Sequence, residues 1–171
     1  MNDCKITTCK STLAFVCRIP AEDELQTGIT ETKNREKTFA KSLLEYAVRE
    51  FSSGNTVGIE KNLFGAPTAD DLYLSLSHTR FYSFAAVSLS PVGCDAEYVL
   101  EGRNFEKLLQ RIMTENEKST YESIIDKKTL FYKLWTAKEA SFKRKTVPPF
   151  IPNAIETDGV KVFIEDDCCF A

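Results

Sequence analysis

The chain has 171 residues, 43% of them apolar and 27% charged, with seven glycines and six prolines. That size and balance predict a soluble globular protein, one domain or two small halves around a shared core, and exclude a disordered chain. A formal charge of −3 argues against a surface given over to nucleic acid, and no apolar run approaches the length of a membrane span.

In chain order, "LAFVCRI" (13–19) reads as a strand and the polar stretch to Lys33 as a loop. A helix is predicted from Asn34, a candidate N-cap, to Phe51, because Phe39, Leu43, Leu44, Ala47, Val48 and Phe51 recur at helical spacing. "TVGIEKN", a "GAP" turn, "LYLSLSH" and "YSFAAVSL" follow as short antiparallel strands that end at Ser90-Pro91. "VGCDAEYV" (92–99) makes one more strand. Helices are predicted over 104–113, 116–125 and 130–145, the last stopped by the prolines of "TVPPF". A closing hairpin is expected in "AIETDGVKVFIED", turning at Asp158-Gly159. The pattern is α+β with antiparallel sheets in two halves, 1–91 and 92–171.

Six cysteines, Cys4, Cys9, Cys17, Cys94, Cys168 and Cys169, are scattered without a CxxC pair or a Cys/His array. No charged-then-apolar leader opens the chain, so they read as free thiols in a reducing, cytoplasmic setting rather than as a disulfide framework or a zinc site.

The chemistry-bearing stretch is "VGCDAE". On a strand, Asp95 and Glu97 share a face roughly 7 Å apart, close enough to ligate one hard cation. An edge strand with one wet face gives the same alternation. In "LWTAKEASFK" (134–143), Phe131, Trp135 and Glu139 fall at i, i+4 and i+8, so Glu139 continues an aromatic stripe that should face the core, and Lys143 lies one turn further on. Acids seldom occupy such a face without a partner. An ordinary Glu–Lys surface pair would show the same spacing.

"SLSH", "VGCDAE" and "LWTAKEASFK", in this order and spacing, resemble the three motifs of the 4'-phosphopantetheinyl transferase superfamily, in its longer, surfactin-synthetase-activating type. Upstream, "AKSLLEYAVREF" resembles that family's N-terminal helix and "GAP" its G-x-P turn. The resemblance implies a pseudo-dimer of two similar α+β halves with the active site between them. It also implies an enzyme that moves the 4'-phosphopantetheine of coenzyme A onto a serine of an apo acyl or peptidyl carrier protein, releasing adenosine 3',5'-bisphosphate.

Asp95, Glu97 and Glu139 would then ligate Mg2+ beside the pyrophosphate. Lys143 would neutralise phosphate charge, and Lys138 would contact phosphate or assist the proton transfer. Ser77 and His78 would contact the nucleotide phosphates, although alternation alone puts His78 with Leu74 and Leu76 on an apolar face. Lys41 would meet the 3'-phosphate end, with Arg35 and Lys37 as weaker matches. In "MTENE", Glu117 matches the general base and Glu115 is the near alternative; a helix N-terminal acid after Thr114 fits the same residues.

Ser75 stands where asparagine is common and Ala66 where lysine is, and the longer type usually continues through further strands past the point where this chain stops. The basic "KRK", Lys143 to Lys145, suits an acidic carrier helix. Two other readings carry the same motifs: a non-catalytic module that binds coenzyme A or a carrier protein, and a metal-dependent hydrolase of nucleotide pyrophosphates.

Overall fold

Strand Tyr82–Ser88 has no exposed residue, and the fold is arranged around it. In the computed structural model, which describes residues 4–9, 11–20, 29–121, 123–145 and 149–171, it is the inner strand of a six-stranded antiparallel sheet. The strands in chain order are β1 (Cys4–Cys9), β2 (Thr12–Arg18), β3 (Glu60–Lys61), β4 (Pro67–Ala69), β5 (Leu72–His78) and β6 (Tyr82–Ser88), arranged β1-β2-β6-β5-β4-β3. A strand buried on both faces must be covered twice, and alternation divides the work. Ala85 and Val87 face helix α1 (Ile29–Phe51), meeting Leu43, Leu44, Ala47 and Val48. Tyr82, Phe84 and Ala86 face the other way, onto Cys94, Ala96, Cys168 and Phe170. Burying side chains such as Leu43, Leu44 and Val48 contributes about 1.5–3 kcal/mol each, which fixes α1 by its apolar stripe.

The second face is covered by a small sheet, β7 (Ala96–Tyr98), β8 (Phe163–Glu165) and β9 (Cys168–Phe170), in the order β7-β9-β8. Behind it lie α2 (Phe105–Ile112), α3 (Glu115–Tyr121) and α4 (Lys127–Lys145), then a 3-10 turn, Pro152–Ala154. Cys169 points to this third core with Leu109, Ile112, Leu130 and Phe131. The layers run helix, sheet, sheet, helices, an α+β arrangement with antiparallel sheets.

Several expectations are corrected. Helix α1 begins at Ile29, so Asn34 lies inside it, its carbonyl accepting the Thr38 hydroxyl at 2.9 Å. Part of the expected loop, residues 21–28, lies outside the described residues. Regular strand in "VGCDAEYV" is confined to Ala96–Tyr98. The last hairpin turns at Asp166 and Asp167, with φ of 45° and 56°, a two-residue mirror-image turn, while Asp158-Gly159 forms a turn without strands. β1 was not foreseen, and Cys4 and Cys17, opposite each other in the β1–β2 ladder, form a disulfide. The expectation of six free thiols therefore fails for this pair; Cys94, Cys168 and Cys169 are free and buried. No helix among the described residues is long and apolar enough to cross a membrane.

Gly93 fixes how closely α4 lies on the sheet. A Cβ placed there would stand 1.9 Å from the Ala140 carbonyl oxygen and 2.6 Å from the Arg144 amide nitrogen, both backbone atoms of α4. Gly93→Ala must therefore push the helix outward. It is expected to cost about 3 kcal/mol or prevent folding, read as a drop in thermal midpoint. Gly58→Ala, where the Cβ meets open space, should stay within about 1 kcal/mol of the parent.

Candidate active site

Ser75 and Ser77 alternate with Leu74 and Leu76 along β5 and so face away from α1, toward the segment 93–95. Ser75 Oγ accepts the Cys94 amide at 2.9 Å, and the Ser77 hydroxyl donates to Asp95 Oδ1 at 2.8 Å. The Asp95 backbone pairs with Ala171 in both directions, at 2.9 and 3.0 Å. Asp95 is thus held by side chain and main chain, and only 3% of it is exposed. A buried carboxylate requires a counter-charge, and α4 supplies one: Lys143 Nζ donates to Asp95 Oδ1 at 2.6 Å and to Ser77 Oγ at 3.1 Å. Burial works against the charge on Lys143, but Asp95, with Cys94 and Glu139, outweighs it and holds the ammonium above its ordinary value. The other carboxylate oxygen, Asp95 Oδ2, is buried and has no protein partner.

Glu97 accepts a hydrogen bond from Trp135 Nε1 at 3.1 Å. That indole, the single tryptophan of the chain, is stacked on Phe131 at 6.0 Å and met edge-on by Phe150 at 5.5 Å. Burial and the neighbouring Asp95 push the Glu97 carboxyl up to about 7, the indole hydrogen bond opposing them and Glu139 adding to them. Glu139 is raised by burial and by Asp95, with Lys143 opposing.

The three acids are therefore close enough to repel one another. As the side chains stand they do not form a closed ligand set, and among the described residues no group of three or more His, Cys, Asp or Glu side chains does. An orphaned buried carboxylate oxygen beside two carboxyls whose ionisation is suppressed fits a hard divalent cation, which would satisfy the first and relieve the second.

Two openings reach this group, one at Glu97 and the other at Lys143. A cavity of about 560 Å³ is lined by Glu97, Trp135, Phe131, Leu108 and Pro152, with Arg103 and Arg111 among its walls. A cleft of about 700 Å³ is lined by Lys143, Arg144 and Lys145 together with Asn62, Pro67 and Tyr73. Arg144 and Lys145 are exposed, whereas Lys143 is spent on Asp95.

The remaining residues stand elsewhere. His78 lies on the α1 face of β5, across the strand from Ser77, with Nδ1 3.6 Å from Glu36. Burial lowers its pKa, Glu36 opposing and Lys143 and Lys37 adding. Among the lysines of α1, Lys37 is the one felt at His78; Lys41 is exposed and paired with Glu45 at 3.6 Å.

Glu117 and Lys138 are occupied with each other. Lys138 Nζ, 0% exposed, donates to Glu117 at 3.0 and 2.7 Å and to the Ile155 carbonyl at 2.6 Å. Glu117 also accepts the Thr114 amide at 2.9 Å, while its own amide donates to Thr114 Oγ1 at 3.2 Å: a capping box opening α3. Both carboxylate oxygens are engaged and the ammonium is sealed. Glu115 is exposed and bonded to Lys118 at 2.6 Å.

Sequence reasoning missed Trp135 as the partner of Glu97, and the cavity with Arg103, Arg111 and Pro152. The aromatic stripe through Phe131 and Trp135 was the available signal for the first. The cavity has no signal in sequence, because its walls come from separate segments.

No curated protein matches the chain. Residues 91–147 match the family model described as the 4'-phosphopantetheinyl transferase superfamily. The match spans β7 through α4 and holds Asp95, Glu97, Glu139 and Lys143. Over that third of the chain, within an α+β architecture of antiparallel sheets, the protein is similar to the 4'-phosphopantetheinyl transferase superfamily.

Proposed function

We propose that this protein transfers the 4'-phosphopantetheine group of coenzyme A to a serine of an apo carrier protein, with magnesium, releasing adenosine 3',5'-bisphosphate. The observation that carries the reading is Asp95, one oxygen held by Lys143 and Ser77 and the other buried without a partner, beside Glu97 and Glu139.

Asp95, Glu97 and Glu139 would hold the magnesium ion, which when bound supplies positive charge to the pyrophosphate. Each opening suits one substrate. The polar cleft with Lys143, Arg144 and Lys145 suits the phosphates of coenzyme A, so the exposed Arg144 and Lys145 are assigned to the nucleotide rather than to the carrier. The aromatic cavity with Arg103 and Arg111 suits an acidic, amphipathic carrier segment. The serine oxygen then forms its bond to the pantetheine-side phosphorus as the pyrophosphate P–O bond breaks; the serine proton leaves to water, and the bisphosphate carries the bonding pair away. Lys143, held at the acids by Asp95, is a fixed positive charge where negative charge gathers on the leaving side.

Incubated with coenzyme A, magnesium and a panel of apo acyl and peptidyl carriers, the protein is expected to add the mass of one phosphopantetheine to at least one carrier. Glu139→Ala should lower kcat/KM by about a hundredfold or more with circular dichroism unchanged. No mass gain on any carrier with folded protein sinks the reading. Cleavage of coenzyme A without a carrier would indicate a pyrophosphate hydrolase instead.

A second prediction needs no turnover. Because Trp135 bonds Glu97, magnesium at millimolar concentration should change its fluorescence saturably, and Glu139→Ala should weaken that change about tenfold or more in concentration. An unresponsive emission in the parent protein would refute the ligand set.

A further inference from the structure

Helix α1 turns an apolar stripe to the large sheet through Ala40, Leu43, Leu44 and Ala47. Glu36 stands four residues before Ala40, so it extends that stripe by one turn, and only 12% of its side chain is exposed. An acid on a core-facing stripe needs a partner of its own. The group that meets it is His78, at the end of β5, with Nδ1 3.6 Å from Glu36 Oε2.

His78 and Ser83 face each other across the β5–β6 ladder, and Cys17 follows Ser83 on β2, so the three side chains form one row beneath α1. Two polar atoms of that row, His78 Nδ1 and Ser83 Oγ, are buried and have no hydrogen-bond partner. Cys17, closed in its disulfide with Cys4, offers them no proton. A buried ring nitrogen left unbonded is costly, and about half an ångström separates the Glu36 contact from a hydrogen bond. A carboxylate only accepts, so that bond calls for a proton on Nδ1 and leaves Nε2 as the nitrogen of the ring's outer edge.

With Nδ1 buried, the 31% of the His78 side chain that is exposed belongs to the rest of the ring. Burial weighs against a charge on the ring, Lys143 of α4 and Lys37 of α1 add to that, and Glu36 opposes them. Lys143 also lines the cleft assigned above to the phosphates of coenzyme A. A ring beside two such cations, with a carboxylate behind it, can take a proton from water onto Nε2 when a phosphate arrives, because the new charge then has an anion on each side.

We propose that Glu36 is a positioning residue: by accepting from Nδ1 it fixes the tautomer and orientation of His78, so that Nε2 is the nitrogen presented to a phosphate of coenzyme A. The identity of the ligand rests on the transferase reading, whereas the pairing is a property of the free protein.

His78 is the only histidine of the chain, so nitrogen-15 NMR of the tag-free protein reads one ring. With the ring neutral, the parent is expected to carry its proton on Nδ1. Glu36→Leu, an apolar side chain on an apolar stripe, should fold and move the proton to Nε2, and Glu36→Gln, which keeps an acceptor oxygen there, should hold it on Nδ1. A parent ring protonated on Nε2 overturns the proposal, as does an unchanged tautomer in Glu36→Leu.

In calorimetric titration with coenzyme A, Glu36→Leu is expected to raise Kd about tenfold, the loss of one hydrogen bond to a charged group, and His78→Ala at least as much. The two substitutions together should stay within about twofold of His78→Ala alone, because Glu36 acts through the ring. In the transfer assay, kcat at saturating coenzyme A and the KM for the carrier should change less than about twofold in Glu36→Leu. Additive losses overturn the proposal, and so does tighter coenzyme A binding in Glu36→Leu, which would show the carboxylate repelling phosphate. A parent that binds no coenzyme A overturns the transferase reading and the proposal together, whereas a parent that transfers normally with its ring proton on Nε2 refutes only the pair.

Discussion

The contact on which the arrangement depends is the one between Lys143 and Asp95. A carboxylate 3% exposed cannot stand unpaired, and the ammonium that pairs it comes from the far end of α4. Ser77 completes the contact from β5, so a strand of the large sheet, the segment leading into β7 and the longest helix of the second half converge within one set of hydrogen bonds. Sterics make the approach possible: Gly93 lies against the backbone of α4 where any side chain would collide. The charge pair draws the helix in, and the missing Cβ lets it arrive.

The same helix carries a second charge to a second place. Lys138 and Glu139 are neighbours in sequence and lie about 100° apart around the axis, so one turns into the packing of α3 and the 155–157 segment while the other faces the acids. Phe131 and Trp135 continue the Glu139 stripe, and through Trp135 the stripe reaches Glu97. One helix thereby orients two of the three acids. The oxygens of Glu117 are meanwhile engaged by Lys138, Thr157 and the Thr114 amide.

Much of this was readable where one local rule acted alone. Helical spacing marked α1 and α4, and alternation put His78 with Leu74 and Leu76 on the apolar face of β5, which meets α1. What escaped depends on partners remote in sequence. The start of α1 lay five residues before the polar Asn34, because nothing local forbids a helix there. The pairing of Cys4 with Cys17 required β1, a strand whose residues Lys5 to Thr8 are exposed and carry no alternation. Asp158-Gly159 offered a turn signal as good as any, but only Asp166-Asp167 is flanked by residues that the small sheet can bury, Cys168, Cys169 and Phe170 at 0% exposure.

The electrostatics of the acids carry the argument one step further. Three carboxyls and one ammonium share a partly buried space, and full ionisation would leave an excess of negative charge there. The protein limits it by suppressing the ionisation of Glu97 and Glu139 rather than by adding a second cation, since Lys138, the nearest in sequence, is turned away. Such a cluster works against folding above the ordinary carboxyl pKa, where the unfolded chain would ionise these groups freely. A packed core with no other use for the position would place apolar side chains there, as the Phe131–Trp135 stripe does one turn earlier. Stability given up at one place, with one carboxylate oxygen left without a protein partner, marks these acids as a candidate functional site.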